Sequence, residues 1–138
     1  MSDLPLPPGC LLDGIEPEPL ARALASSLLI QCARGEVIYS PHDFRRCLGL
    51  IRSGSVRVTK DTLIVSTLQT GDIFGAAALF SDCDEYATTL TALSDCSVLL
   101  LPQNAILGLL RESPVFMERY VRYQSDRIRF LSRRLDTV

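Results

Sequence analysis

Two glycines, Gly71 and Gly75, frame the segment of this chain whose residue types best suit the binding of an anion. Three alanines, residues 76–78, follow the second glycine, and the pattern predicts a strand end, a tight turn and a one-turn helix. The start of a helix offers unpaired N–H groups and the positive end of a dipole, which attract negative charge. The alanines supply no charge, acid, base or metal ligand. The segment therefore predicts a pocket without a charged side chain to recognise its ligand.

Five cysteines are the next side chains that could support chemistry. They are odd in number, widely separated and without a C-x-x-C pair: Cys10, Cys32, Cys47, Cys83 and Cys96. This spacing fits reduced structural thiols better than a disulfide framework, a metal site or an iron–sulfur cluster. A cysteine-based redox sensor stays open as an alternative at Cys83, although the flanking Asp82 and Asp84 should raise the pKa of its thiol.

The single histidine argues against catalysis. His42 lies between Pro41 and Asp43 in what should be an exposed loop, and Arg45-Arg46 follow as a solvated pair. No serine–histidine–acid set, nucleotide-binding loop or metal-ligand spacing accompanies the histidine. We therefore expect a protein that is not an enzyme and has no metal.

Length and charge indicate one domain with an uneven charge distribution. At 138 residues and 47% hydrophobic composition, the chain can form one well-buried core and an appended element. The formal net charge is -2, but seven arginines face four acids from Arg111 onward, so the preceding residues are clearly acidic. No run approaches the ~18 apolar residues of a membrane span, and the first residues lack the basic start of a signal peptide. We expect a cytoplasmic protein without a membrane partner.

Short β-rich runs separated by glycine turns form the middle of the chain. They follow a proline-rich, irregular arm over residues 1–19 and a short helix predicted over residues 20–28. The runs cover residues 30–32, 35–39, 48–51, 55–59, 63–68, 87–92 and 96–101. Lys60-Asp61-Thr62 predicts a tight hairpin between two of them. Many short antiparallel strands predict a mainly β fold with flanking helices, built as a sandwich or a barrel.

The pattern becomes helical near the C-terminus. Gln103–Glu112 predicts a short helix, and Ser113-Pro114 predicts the start of a longer one, with serine as N-cap and proline in the first turn. A heptad seam runs along the longer helix: Met117, Val121, Gln124, Ile128, Leu131 and Leu135. A second stripe comprises Phe116, Tyr120, Tyr123 and Phe130.

The two stripes allow two arrangements of the long helix. If one stripe packs on the β domain and the other on a partner helix, the chain forms a parallel coiled-coil homodimer, with the polar Gln124 as a candidate register determinant. Alternatively, both stripes are buried within one monomer. We expect the homodimer.

Three motifs occur in order before the long helix: Gly35-Glu36-Val37-Ile38-Tyr39, then Leu50-Ile51-Arg52-Ser53-Gly54-Ser55-Val56-Arg57-Val58, then Gly71-Asp72-Ile73-Phe74-Gly75. In order and spacing they resemble the sensor domain of the CRP/FNR superfamily of bacterial transcription regulators, over about residues 20–135. The resemblance implies a double-stranded β-helix (jelly-roll) barrel over residues 20–112 and a dimerisation helix over residues 113–138. In that family a winged helix-turn-helix follows, so DNA would be contacted only through a C-terminal module absent from this chain. We expect an excised sensor domain rather than a naturally short homologue.

The resemblance also implies a ligand site, and this sequence departs from it in two places. An effector would lie beneath the short helix and contact Gly75, Ala76, Ala77, Tyr86, Ala87, Thr88 and Ser132. Cyclic-nucleotide sensors of the family need a glutamate directly after the second glycine and an arginine further on, where this chain has Ala76 and Tyr86. Cyclic AMP is therefore not expected to bind, whereas a small organic anion or an aromatic compound suits the remaining groups.

These observations predict the effector-sensing and dimerisation domain of a CRP/FNR-type transcriptional regulator that does not respond to cyclic AMP. Any effector would be an unidentified small molecule, and no cofactor is expected. Two alternatives stay open. One is the cysteine-based redox sensor, and the other is a ligand-free dimerisation module in which the three alanines fill the pocket.

Overall fold

The computed structural model describes residues 6–136, with side chains described for all of these except 131 and 134–136. Eight strands form its body: β1 (Leu28–Cys32), β2 (Val37–Tyr39), β3 (Cys47–Ser53), β4 (Val56–Lys60), β5 (Leu63–Leu68), β6 (Ile73–Phe74), β7 (Thr89–Ala92) and β8 (Cys96–Pro102). Four helices accompany them: α1 (Pro17–Ala25), α2 (Ala76–Leu79), α3 (Gln103–Glu112) and α4 (Pro114–Asp136).

The strands form two four-stranded sheets. One sheet has the order β1-β8-β3-β6 and the other the order β2-β7-β4-β5. All pairings among the described strands are antiparallel. The consecutive strands β3 and β4 belong to different sheets, as they do in the rolled topology of a jelly roll. The predicted fold, a mainly β jelly roll with flanking helices and a long C-terminal helix, is confirmed.

The central strands of the first sheet, β3 and β8, are buried on both faces because helices cover the outer side of the sheet. The buried apolar side chains form two clusters, one inside the roll and one between this sheet and the helices, which we call the cluster beneath the helices. On β8, Val98 and Leu100 belong to the first cluster, whereas Leu99 and Leu101 belong to the second. Phe116 of α4, which is fully buried, joins that second cluster. The double burial explains why residues 98–101 of β8 form a continuous apolar run rather than an alternating one, since both faces of the strand are removed from water.

Gly49 of β3 makes room for the ring of Phe74. The two residues are partners across the β3–β6 ladder, and a Cβ added at Gly49 would overlap the Cζ, Cε1 and Cε2 atoms of the phenylalanine. The ring meets Tyr39 edge-on, with 5.2 Å between the ring centroids. The sequence predicts only a strand end at β6, because two residues are too short to show a strand period.

Several predicted boundaries are wrong by two residues or more. The first helix runs over Pro17–Ala25 rather than residues 20–28, because proline suits the first helical turn and Leu28 joins β1. The strand predicted over residues 87–92 begins at Thr89, because Thr89 is the first residue of this segment that pairs with β4. The short helix and the long helix at the C-terminal end begin where the sequence predicts.

Residues 6–16, within the predicted irregular arm, form turns that pack against α4. Cys10 and Ile15 are buried in the same cluster as Phe116. The guanidinium of Arg119 donates hydrogen bonds to the carbonyl oxygens of Cys10 (3.5 Å) and Asp13. The arm therefore helps to bury the first part of α4, although it has no regular secondary structure.

Ser113 caps the long helix, as its sequence position predicts. Its Oγ accepts a hydrogen bond from the N–H of Phe116 (3.0 Å) and donates one to a carboxylate oxygen of Glu16 (2.7 Å). The serine side chain therefore satisfies one of the helix's unpaired N–H groups and joins the start of α4 to the residue before α1.

Candidate functional site

The turn between β6 and α2 has the tight geometry predicted for it. Gly75 has a φ of 84° at the N-terminal end of α2, and a Cβ there would lie 2.6 Å from the carbonyl oxygen of Cys47. Both facts require glycine, because other residues carry a Cβ and rarely adopt a positive φ. Because α2 is only four residues long, its dipole is much smaller than that of a full helix. The turn supplies rigid backbone and little attraction for an anion.

The three alanines of α2 lie in different environments. Ala78 is buried in the cluster beneath the helices, Ala76 is half-buried against that cluster, and Ala77 is exposed. Leu79 at the end of α2 is fully buried and anchors the turn. None of the alanines adds a polar side chain, so the polar groups of this segment belong to its backbone.

Tyr86 extends from the loop before β7 into the roll. Its ring packs edge-on against Tyr39 (5.0 Å between centroids) and is tilted against Phe44 (5.6 Å). Burial raises the pKa of Tyr86 to about 12, an effect that a hydrogen bond between its hydroxyl and the backbone of Gly75 partly offsets. The phenol thus lies at the glycine turn, with its hydroxyl beside the backbone of Gly75.

A groove of about 340 Å³ opens on the outer side of Tyr86. It is bounded by the β4–β5 hairpin and by the segment that leads into β7: Pro41, Thr59, Lys60, Asp61, Glu85, Tyr86, Ala87, Thr88 and Thr89. The groove thus unites three predicted site residues, Tyr86, Ala87 and Thr88. In the described part of the chain, residues 75–77 lie outside its lining.

The seven predicted ligand-binding residues therefore fall into three places. Gly75, Ala76 and Ala77 lie at the turn and the start of α2, whereas Tyr86, Ala87 and Thr88 line the groove. Ser132 is exposed near the end of α4. Their common role in binding an effector stays a prediction.

Arg46 is exposed, as predicted, and it also makes hydrogen bonds that the sequence does not indicate. Its Nη1 donates hydrogen bonds to the carbonyl oxygens of Ala78 (3.2 Å) and Ser81 (2.8 Å), and its Nη2 donates to that of Cys83. The guanidinium also lies 5.5 Å from the centroid of the Phe44 ring. Far from being only a solvated charge, Arg46 holds the end of α2 and the loop that follows it. Its partners lie 32 to 37 residues away in sequence, so no local pattern announces them.

The pKa of Cys83 shifts in the direction opposite to the prediction. Hydrogen bonds with Ser81 and then Arg46 lower the pKa of this thiol, and the Sγ atom lies 3.7 Å from Nη1 of Arg46. The flanking aspartates do not determine the shift, because the guanidinium is in direct contact with the sulfur and favours its thiolate. Burial raises the pKa of the Cys10, Cys32 and Cys47 thiols.

His42 is exposed, as predicted. Its Nε2 lies 3.7 Å from a carboxylate oxygen of Glu85, and both side chains are mostly in solvent. Within residues 6–136, histidine, cysteine and acidic side chains form no group of three that could hold a metal ion. In the same part of the chain, no helix is both long enough and apolar enough to cross a bilayer.

The two stripes of α4 have opposite surroundings. Phe116 and Tyr120 pack together in the cluster beneath the helices. Met117, Val121 and Ile128 of the predicted seam expose 49%, 57% and 66% of their surface. Among the remaining predicted seam residues, Gln124 donates a hydrogen bond to the hydroxyl of Tyr120 (3.2 Å), and the side chains of Leu131 and Leu135 lie outside the described residues. Phe130 of the second stripe is also exposed.

Solved structures of bacterial regulators resemble this fold. The catabolite activator protein of Thermus thermophilus has a TM-score of 0.77 and 27% identity, over 91% of this chain and 61% of that one. This chain therefore spans less than two thirds of that protein. The sensor domain of the transcriptional regulator DNR from Pseudomonas aeruginosa has a TM-score of 0.73 and 21% identity, over 85% and 86% of the two chains. A transcriptional regulator from Thermotoga maritima has a TM-score of 0.75 and 17% identity, over 84% and 94%.

A jelly roll with a glycine turn, a one-turn helix and a long final helix is therefore an architecture shared with transcription regulators of the CRP/FNR type. The cyclic nucleotide-binding domain family matches residues 29–113, which is more than half of the chain. The protein belongs to the cyclic nucleotide-binding domain family. No curated protein sequence matches it significantly.

Proposed function

We propose that this chain is the effector-sensing and dimerisation domain of a CRP/FNR-type transcriptional regulator, and that cyclic AMP is not its effector. The observation that carries the proposal is the pair Ala76 and Tyr86, at the positions where cyclic-nucleotide sensors need a glutamate and an arginine. Ala76 offers only its backbone. Because the pKa of Tyr86 is raised to about 12, its phenol is neutral near pH 7. A ribose hydroxyl and a cyclic phosphate would lose their two charged partners.

The loss of these two partners predicts a large drop in affinity. A hydrogen bond to a charged group contributes roughly 1.5–3 kcal/mol. Two such bonds correspond to roughly a hundredfold to ten-thousandfold change in the dissociation constant. The ring of Tyr86 adds a steric obstacle, because it already lies against the Gly75 backbone.

The expected result is that cyclic AMP does not bind this domain. Isothermal titration calorimetry should give no saturable heat up to about 1 mM nucleotide, the range of very weak binding. Thermal-shift measurements with cyclic AMP should likewise leave the melting temperature unchanged, since only a ligand that binds the folded state raises it. Binding of cyclic AMP in the micromolar range would contradict the proposal.

The proposed homodimer depends on α4. Its exposed seam is accompanied by a groove of about 560 Å³, lined by Pro114, Met117, Glu118, Val121, Arg122, Ser125 and Asp126. A second copy of the helix would remove the exposed apolar groups from water, which favours association by roughly 25 cal/mol for each Å² buried. Met117 and Val121 belong both to the seam and to the groove. A parallel coiled coil accounts for this apolar side of an otherwise charged helix.

The arginines of α4 do not require a DNA-binding role. Arg119 is bound to the N-terminal arm through the carbonyl oxygens of Cys10 and Asp13. Arg122 pairs with Glu118 one turn earlier at 3.0 Å. We therefore propose that DNA is read by a separate C-terminal module and that α4 transmits the state of the roll to it.

A redox response at Cys83 is a second candidate function, favoured by the contact of its Sγ with Arg46. A lowered pKa increases the thiolate fraction at neutral pH, and the thiolate is the nucleophile. Iodoacetamide at pH 7 should modify Cys83 before the buried Cys10 and Cys32. The Arg46→Leu variant should slow this labelling, because the cation that favours the thiolate is lost. Equal labelling rates in wild type and variant would remove the candidate.

A further inference from the structure

Four aromatic side chains meet at one end of the roll. Phe74 packs on Tyr39, Tyr39 packs on Tyr86 and Tyr86 packs on Phe44, with centroid distances of 5.2, 5.0 and 5.6 Å. Tyr39 is buried and donates a hydrogen bond from its hydroxyl to the carbonyl oxygen of Arg45 (3.0 Å). Edge-on and tilted contacts of this kind stabilise aromatic clusters. The cluster fills the space beside the glycine turn with the chain's own rings.

Tyr86 differs from the other three rings because its polar end joins separate elements. Its hydroxyl is hydrogen-bonded to the backbone of Gly75, at the start of α2. Tyr123 and Arg127 of α4 lie close enough to influence its charge. The backbone N–H of Tyr86 donates to the carbonyl oxygen of Pro41 (3.0 Å), which fixes the loop that carries the ring. One side chain thus lies against both the turn and the interior of the roll.

We propose that Tyr86 is a built-in occupant of the part of the effector site beside Gly75, where it takes the place of a small aromatic ligand and keeps cyclic nucleotides out. The ring fills the apolar part of the site, and the hydroxyl satisfies the polar backbone at Gly75. Removal of the side chain opens a phenol-shaped cavity beside a polar backbone group. The chemical class that fits this cavity is a small uncharged phenol, such as p-cresol, which is the tyrosine side chain itself.

The surroundings of the ring support this assignment. A cavity lined by rings and left by a deleted side chain can bind a small aromatic molecule. The groove that Tyr86 shares with Ala87 and Thr88 provides an entry path from solvent. The inference deepens the function proposed above, because it explains how the site rejects a nucleotide, but it requires neither a dimer nor a DNA-binding module.

The test uses three forms of the complete chain: wild type, Tyr86→Ala and Tyr86→Phe. Tyr86→Ala should melt several degrees below wild type, and millimolar p-cresol should restore a large part of that loss. Wild type and Tyr86→Phe keep the ring in place, so p-cresol should leave their melting temperatures unchanged. Should Tyr86→Ala fail to fold, Tyr86→Val removes the ring with a smaller loss of volume and is measured in the same way.

Two further measurements make the outcome decisive. Calorimetry should show one p-cresol bound per chain of Tyr86→Ala and none per chain of wild type. Toluene should bind the variant more weakly than p-cresol, since it leaves the backbone of Gly75 without a partner. Equal stabilisation of wild type and Tyr86→Ala by p-cresol, or equal binding of toluene and p-cresol, would overturn the proposal. Binding of cyclic AMP to wild type would instead contradict the proposed function, so the two failures can be told apart.

Discussion

Replacing Gly49 with alanine should lower the free energy of unfolding by about 3 kcal/mol, at the upper end of overpacking effects in protein cores. The added Cβ would overlap three atoms of the Phe74 ring. That ring is buried and lies edge-on to Tyr39 at 5.2 Å, so it has little room to retreat. Urea unfolding followed by far-ultraviolet circular dichroism measures the change.

Gly108→Ala is the matched control for this substitution. Gly108 lies in α3, and a Cβ there would have no heavy atom within 4 Å. Because alanine is the better helix former, this variant should gain roughly 0.5–1 kcal/mol. A second substitution, Phe74→Leu, should recover part of the stability lost in Gly49→Ala by removing the ring that the methyl group meets. If Gly49→Ala and Gly108→Ala had the same effect, the close packing of Phe74 on Gly49 would be wrong.

Ile128→Asp should convert the proposed dimer into a monomer, with a dimer dissociation constant raised roughly a hundredfold or more. In a symmetric parallel pair the substitution appears twice, so two carboxylates would face each other across the seam. Ile128 is 66% exposed in the single chain, so folding of the monomer should be nearly unaffected. Sedimentation velocity across a concentration series measures the change, with circular dichroism as a check of the fold.

Arg129→Asp provides the control for a new charge on α4. Arg129 is also exposed and is the next residue along the helix, so it points about 100° away from Ile128. It should leave the dimer intact. A monomeric mass for wild type at all concentrations, or equal dissociation of both variants, would contradict the proposed seam.

The C-terminal helices show how far local sequence rules reach. The apolar spacing of α3 and the Ser113-Pro114 pair predicted where both helices begin, and the structure agrees because N-capping and proline placement depend on adjacent residues. The apolar period places the start of α1 three residues late, because the helix begins at Pro17, ahead of its first apolar residue. The exposed seam on α4 was also visible in the sequence as a heptad pattern.

Arg46 and Cys83 show where local rules fail. The sequence around Cys83 offers two aspartates, which favour a raised thiol pKa. A hydrogen bond with Ser81, two residues away, and then the contact with the guanidinium of Arg46, 37 residues away, lower the pKa instead. Such a contact depends on how the loop before β3 folds over the loop after α2, which neither segment encodes alone.

The sequence by itself determined that this chain is a β roll followed by a long amphipathic helix, which follows from the periodicity and the turn residues. The resemblance of its motifs to the CRP/FNR sensor domains implies that Ala76 and Tyr86 stand where a nucleotide sensor has charged side chains, and this stays a prediction. Only the tertiary structure decided which side chains lie against one another. Strand register placed Phe74 on Gly49, and chain packing brought the hydroxyl of Tyr86 to the backbone of Gly75. Contacts between separate elements depend on how those elements are placed relative to one another, and local residue preferences do not specify that placement.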